Sequence, residues 1–104
     1  MDEQRWLTFD LFEGRVGEKF VVSGDGDAPV PMELAEARES TEPGGTGPQG
    51  QERRQFSLVF RGPLERVLPQ AIYGLDHDAL GHLDLFLVPI GPAEGAMRYH
   101  AAFA

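Results

Sequence analysis

Asp76-His77-Asp78, with His82 five residues beyond His77 and Glu65 upstream, is the densest group of side chains that could do chemistry. Two imidazoles flanking a turn, with carboxylates beside them, have the donor types that zinc or a general acid–base pair needs. The spacing matches no established metal motif, and an Asp before a turn commonly caps its own backbone. His100 is expected on the polar side of the last strand, in solvent. A second carboxylate group, Ser23-Gly24-Asp25-Gly26-Asp27, invites a calcium reading. Counted from Asp25, Glu36 falls at loop position 12, as in a helix–loop–helix calcium site. Pro29 and Val30 then stand where Asp or Asn and Gly are required. A tight turn explains the Gly and Asp better.

Nucleophiles are poorly placed. Ser57 lies in the middle of an alternating run, Ser23 and Ser40 lie in turn or loop sequence, and none sits in a Gly-x-Ser-x-Gly elbow. Gly44-Gly45-Thr46-Gly47 follows no strand-to-helix pattern and lacks the Lys of a phosphate loop. Thiol chemistry, thiolate metal sites and disulfides are excluded, because the chain has no cysteine. Arg53-Arg54 and Arg61 with Arg66 are the basic clusters. They suit an anion or partner patch, or pairing with nearby Glu. No catalytic, cofactor or metal residue is assigned, and the expectation is a protein that is not an enzyme.

The elements that would carry these residues follow from the 104-residue length, which suits one domain, and from the composition. Thirteen glycines and eight prolines make about a fifth of the chain, which favours turns and short strands. The net charge is −8. Residues 1–50 carry 11 acidic and 4 basic groups, residues 51–104 only 6 and 5. Such a balance argues against binding a phosphate backbone. The polar start Met1–Arg5 has no apolar run behind it, and Leu85–Ile90 is too short to span a bilayer. A cytoplasmic location is the default expectation, and export without a leader would look the same.

The segment Trp6 to Gly14 reads as one short helix, with Thr8 as N-cap and Gly14 in the left-handed position after it. Trp6, the one tryptophan, is expected to anchor the N-terminal segment. Glu18–Val22 is a strand, then a turn over 23–27. Val30, Met32 and Leu34 alternate with polar positions, so Val30–Ala37 reads as a strand; a helix over Met32–Glu39 competes on propensity. Arg38–Gln55 contains no apolar side chain and is expected to be a flexible polar loop that orders, if at all, on a partner. Further strands are expected at 56–61, 71–76, 83–88 and 97–103. Leu85–Val88 is apolar on both faces and so placed centrally. Met97, Tyr99, Ala101 and Phe103 are expected inward. The sum is a mainly β fold, a small antiparallel barrel or sandwich of about six strands with a short N-terminal helix.

The runs Phe56–Pro63, Leu68-Pro69-Gln70 with Tyr73 and His77, Leu80-Gly81, Leu85–Pro92, and Met97-Arg98-Tyr99 with Phe103 resemble an uncharacterised bacterial family, domain of unknown function 6916. Leu7-Thr8 to Phe12, Val16-Gly17 and Phe20 are similar to it as well. The resemblance spans nearly the whole chain outside 38–55. It implies genes near phage-tail-collar-like proteins, and so a component of a tail-like or fibre-like assembly. It implies no catalytic residues. The expected function is a structural or protein-interaction module, acting through a sheet edge or the 38–55 segment, on another protein or on itself. The alternative is a small-molecule or metal-binding barrel using the His77/His82 corner.

Overall fold

Phe56, Leu58 and Phe60 point to one side of their strand and are buried, while Ser57, Val59 and Arg61 point to the other. The same two-residue period sorts Leu83, Leu85 and Leu87 from Asp84 and Phe86. Six such strands make up the computed structural model, which describes residues 7–23, 29–46, 50 and 52–103. They are β1 (Lys19–Ser23), β2 (Val30–Thr46), β3 (Glu52–Gly62), β4 (Ala71–His77), β5 (Gly81–Ala93) and β6 (Ala96–Phe103). Every pairing is antiparallel, in the order β1-β2-β3-β6-β5-β4, and β4 returns to β1, so the sheet closes into a barrel.

The barrel interior is filled by the inward row of each strand. Phe20, Met32, Leu34, Leu58, Phe60, Leu75, Leu85, Leu87 and Tyr99 are almost fully buried. Phe12 comes from the N-terminal segment and packs on Phe20, Phe56 and Phe103, covering the last row of the β3–β6 pairing. Leu68 comes from the connector between β3 and β4, and its N–H donates to the Tyr99 hydroxyl at 2.9 Å.

Several expectations are corrected. The N-terminal helix is two 3₁₀ turns, Phe9–Leu11 and Glu13–Arg15, because so short a segment holds its shape by packing rather than by an α-helical ladder. Thr8 precedes the first turn but caps nothing with its side chain; its hydroxyl bonds Asp10 instead. The left-handed glycine is Gly17 (φ 95°), not Gly14. Arg38–Gln55 is not a loop throughout, since β2 runs to Thr46 and β3 begins at Glu52. Once the apolar part of the β2–β3 pairing fixes the register, backbone pairing carries the hairpin on without buried side chains. Pro89 and Pro92 do not end β5 either. The register shifts between Pro89 and Gly91 (φ 106°), a bulge that accommodates the prolines, and the strand reaches a tight turn at Glu94-Gly95. Both turn residues have positive φ, as a two-residue hairpin turn requires.

Closure also changes what the strands offer. The interaction surface is expected at a sheet edge, whereas the sheet of the expected barrel closes through the β1–β4 pairing. Nor does closure give β5 a doubly covered centre: Phe86 points outward and is 48% exposed, and its register partner Ile72 is 70% exposed. Among the described residues, no helix is long and apolar enough to cross a membrane.

Candidate functional site

The two histidines of the expected metal corner part company. His77 ends β4 on the inward row and is buried, its ring 4.5 Å from that of Phe20. The backbone N–H groups of Ala79 and Leu80 each donate to its Nδ1 at 3.0 Å. Nδ1 is therefore unprotonated, and Nε2 carries the hydrogen that it donates to Glu18 Oε1 at 2.7 Å. That bond is the main reason the Glu18 carboxyl is held below its ordinary value; partial burial opposes it and Arg15, 3.4 Å away, assists it.

His82 stands on the outer face of β5. Its Nδ1 bonds Asp76 at 2.9 Å and its Nε2 bonds Asp84 at 3.0 Å. Ionised carboxylates only accept, so the protonated ring, with both nitrogens donating, is the form these two contacts favour. Asp76 first and Asp84 second push its pKa above the usual histidine value. Asp76 is its register partner across β4. Gly74 makes room for the ring, since a Cβ there would lie 2.6 Å from His82 Cε1. Asp78 and Glu65 are exposed and join neither histidine. Among the described residues, no three His, Asp or Glu side chains stand where they could hold a metal ion. Trp6 and the Asp25/Asp27 turn lie outside the described residues, as does the side chain of Arg53.

The serines are equally separate. Ser40 Oγ accepts from the N–H of Glu42, Ser23 is exposed at the end of β1, and Ser57 faces outward on β3. Of the arginines, Arg61 does pair with a Glu: its Nη1 is 3.9 Å from Glu33, and Nη2 donates to the Glu94 carbonyl at 3.1 Å. Arg54 is exposed on the hairpin.

One cleft does form, and no sequence motif announced it. It exists because β3 starts four residues before its pairing with β6 does. Phe56 is opposite Phe103, and Glu52–Gln55 continue past the end of β6. The resulting hollow of about 350 Å³ is lined by Arg38, Gln55, Phe56, Ser57, His100 and Phe103, among others. Its aromatic wall is the Phe56 and Phe103 rings, stacked at 4.3 Å and 3°. Ser57 and His100 share the cleft without a hydrogen bond between them. His100 is thus half-buried at a cleft wall rather than free in solvent.

Fold and site together define a small closed antiparallel barrel with a projecting polar hairpin and a cleft at the base of that hairpin. A family model matches residues 7–103, and the chain belongs to that family, described as a domain of unknown function (DUF6916). No curated protein and no solved structure matches the chain.

Proposed function

We propose that this chain is a non-enzymatic protein-interaction module that receives an extended segment of a partner protein at the base of the β2–β3 hairpin. One observation carries the reading. Barrel closure pairs much of the strand backbone, and among the described residues one stretch left without a register partner on its β6 side, Glu52–Gln55 of β3, lies where the hairpin outruns β6 beside the cleft. Strand addition draws affinity from such backbone groups and specificity from the adjoining side-chain pocket.

The two edges of the hairpin are not equivalent. The β2 edge is blunted by Pro43, which has no N–H, by the Ser40–Glu42 bond, and by register shifts on either side of Pro43. The β3 edge at Glu52–Gln55 has no proline, and the register places its last residue next to the Phe56–Phe103 pair. A partner strand there continues the line of β6 and sets alternate side chains against the Phe56–Phe103 stack. The setting we infer is the tail-like or fibre-like assembly that the family resemblance implies, with a tail-collar-like protein as the first partner to try. The alternative of small-molecule binding falls on this same cleft, because His77 and His82 occupy opposite faces.

Co-purification with a tail-collar-like protein encoded beside the gene is the test, followed by amide exchange on the complex. The expected result is slowed exchange over 54–57 and 100–103, and loss of binding when Ala102→Trp fills the cleft. Stable binding with no protection at the β3 edge overturns the proposed surface. A monomer that binds no such partner overturns the setting.

A further inference from the structure

Arg61 and Arg98 are register partners on β3 and β6, and both stand out of phase with the buried rows. Arg61 has acceptors: Glu33 on its β2 side and the Glu94 carbonyl. Arg98 has none. Among the described residues no hydrogen bond or ion pair to its side chain is found, and its Nε is buried without a partner. Its neighbour on the β5 side is Gly91, where an added Cβ would meet nothing within 4 Å. Two residues along β6 from it are Ala96 and His100, neither an acid. In a chain with 17 acidic and 9 basic residues, a half-buried arginine therefore stands in register between a second arginine and a glycine with open space above it.

Adjacent like charges on paired strands repel. A buried N–H without an acceptor adds a desolvation cost. An oxyanion relieves the repulsion, because guanidinium donors are arranged as a fork that matches carboxylate or phosphate oxygens. We propose that Arg61 and Arg98 form a binding subsite for an oxyanion, which enters over Gly91 and lies between the two guanidinium groups. The terminal nitrogens of Arg98 provide the first contact, and Arg61 shares its charge while keeping the Glu94 carbonyl. The ligand class is a carboxylate or a phosphate group, free or carried on a larger molecule.

The test follows the arginine Nε–H signals of the ¹⁵N-labelled protein during addition of inorganic phosphate, and separately of acetate, with chloride at matched ionic strength as the control. The Arg98 signal is expected to move saturably, with Arg61 following, while chloride leaves both in place. A response to acetate as well as phosphate marks a subsite open to carboxylates; a response to phosphate alone marks one for phosphate groups. Arg98→Gln is expected to abolish the saturable response in the Arg61 signal and in neighbouring backbone amides. Arg98→Lys, which keeps the charge and the fold but loses the fork, is expected to weaken binding about tenfold. No saturable response to either anion, or an unchanged response in both variants, overturns the proposal.

Discussion

His77 Nε2 lies 2.7 Å from Glu18 Oε1, joining the end of β4 to the residue just before β1, 59 positions earlier in the chain. Because Nδ1 also accepts from Ala79 and Leu80, this one ring ties the β4–β5 turn to the start of the first strand. His77→Ala strands two N–H groups and removes a ring packed on Phe20, and should cost on the order of 1–3 kcal/mol for the unsatisfied donors. His77→Asn, which can present a carbonyl to the turn, should cost less. Urea denaturation of the two variants checks the order.

The same pair predicts an acid limb. The folded pKa of Glu18 is lowered from 4.5. Its contribution to stability is therefore present above pH 4.5 and is lost as pH falls through the lower folded value. Glu18→Gln should be less stable than the parent at neutral pH, and the gap should close on acidification. Denaturation midpoints measured from pH 7 downward test this.

His82 behaves with the opposite sign. Its folded pKa is raised above 6.5. The contribution it makes is complete below 6.5 and is lost as pH rises through the folded value. An NMR titration of the ring should show Asp76→Asn lowering the pKa more than Asp84→Asn does. Gly74→Ala drives a Cβ into the space of Cε1 and should shift the titration back toward 6.5. Because the His82 side chain is 55% exposed, it can swing aside, so global stability should change little.

Phe12 is fully buried against three other aromatic rings. Phe12→Ala should destabilise by about 3–5 kcal/mol. Thr8→Ala, four residues away, removes only an exposed bond to Asp10 and should stay within about 0.5 kcal/mol. Chemical denaturation separates the two.

Tyr99→Phe keeps the ring in the barrel and deletes the acceptor of the Leu68 N–H. A cost of about 1–3 kcal/mol is expected. Amide exchange at Leu68 should accelerate more than exchange in the strands.

The barrel wall was legible because its inward rows obey a period of two. Val30-x-Met32-x-Leu34 outweighed the helix propensity of Ala35–Arg38, and the strand is observed. Met97, Tyr99, Ala101 and Phe103 do face the core. The hairpin was not legible, since 38–55 offers no apolar side chain to mark a strand and its pairing rests on backbone groups that every residue carries. The prolines of β5 misled for the converse reason: a bulge at Gly91 absorbs them, and no side-chain pattern records a bulge. The cleft was invisible because it arises from the unequal reach of β3 and β6, a property of two strands compared. The opposition of His77 and His82 follows from β4 and β5 parity, which could be assigned only once the register was known.

The strand order has a further consequence. Consecutive strands β1-β2-β3 form one meander and β4-β5-β6 another, and only two seams join them. One seam is long, from Phe56↔Phe103 to Gly62↔Met97. The other is short, from Val21↔Asp76 to Ser23↔Gly74. The protein is thus a clamshell hinged on β3–β6, with a narrow lip at β1–β4. Amide exchange in β1 and β4 at that lip is expected to be faster than at the β3–β6 seam, and the connector at 63–70 is the place to cut the chain to test whether the two halves reassemble.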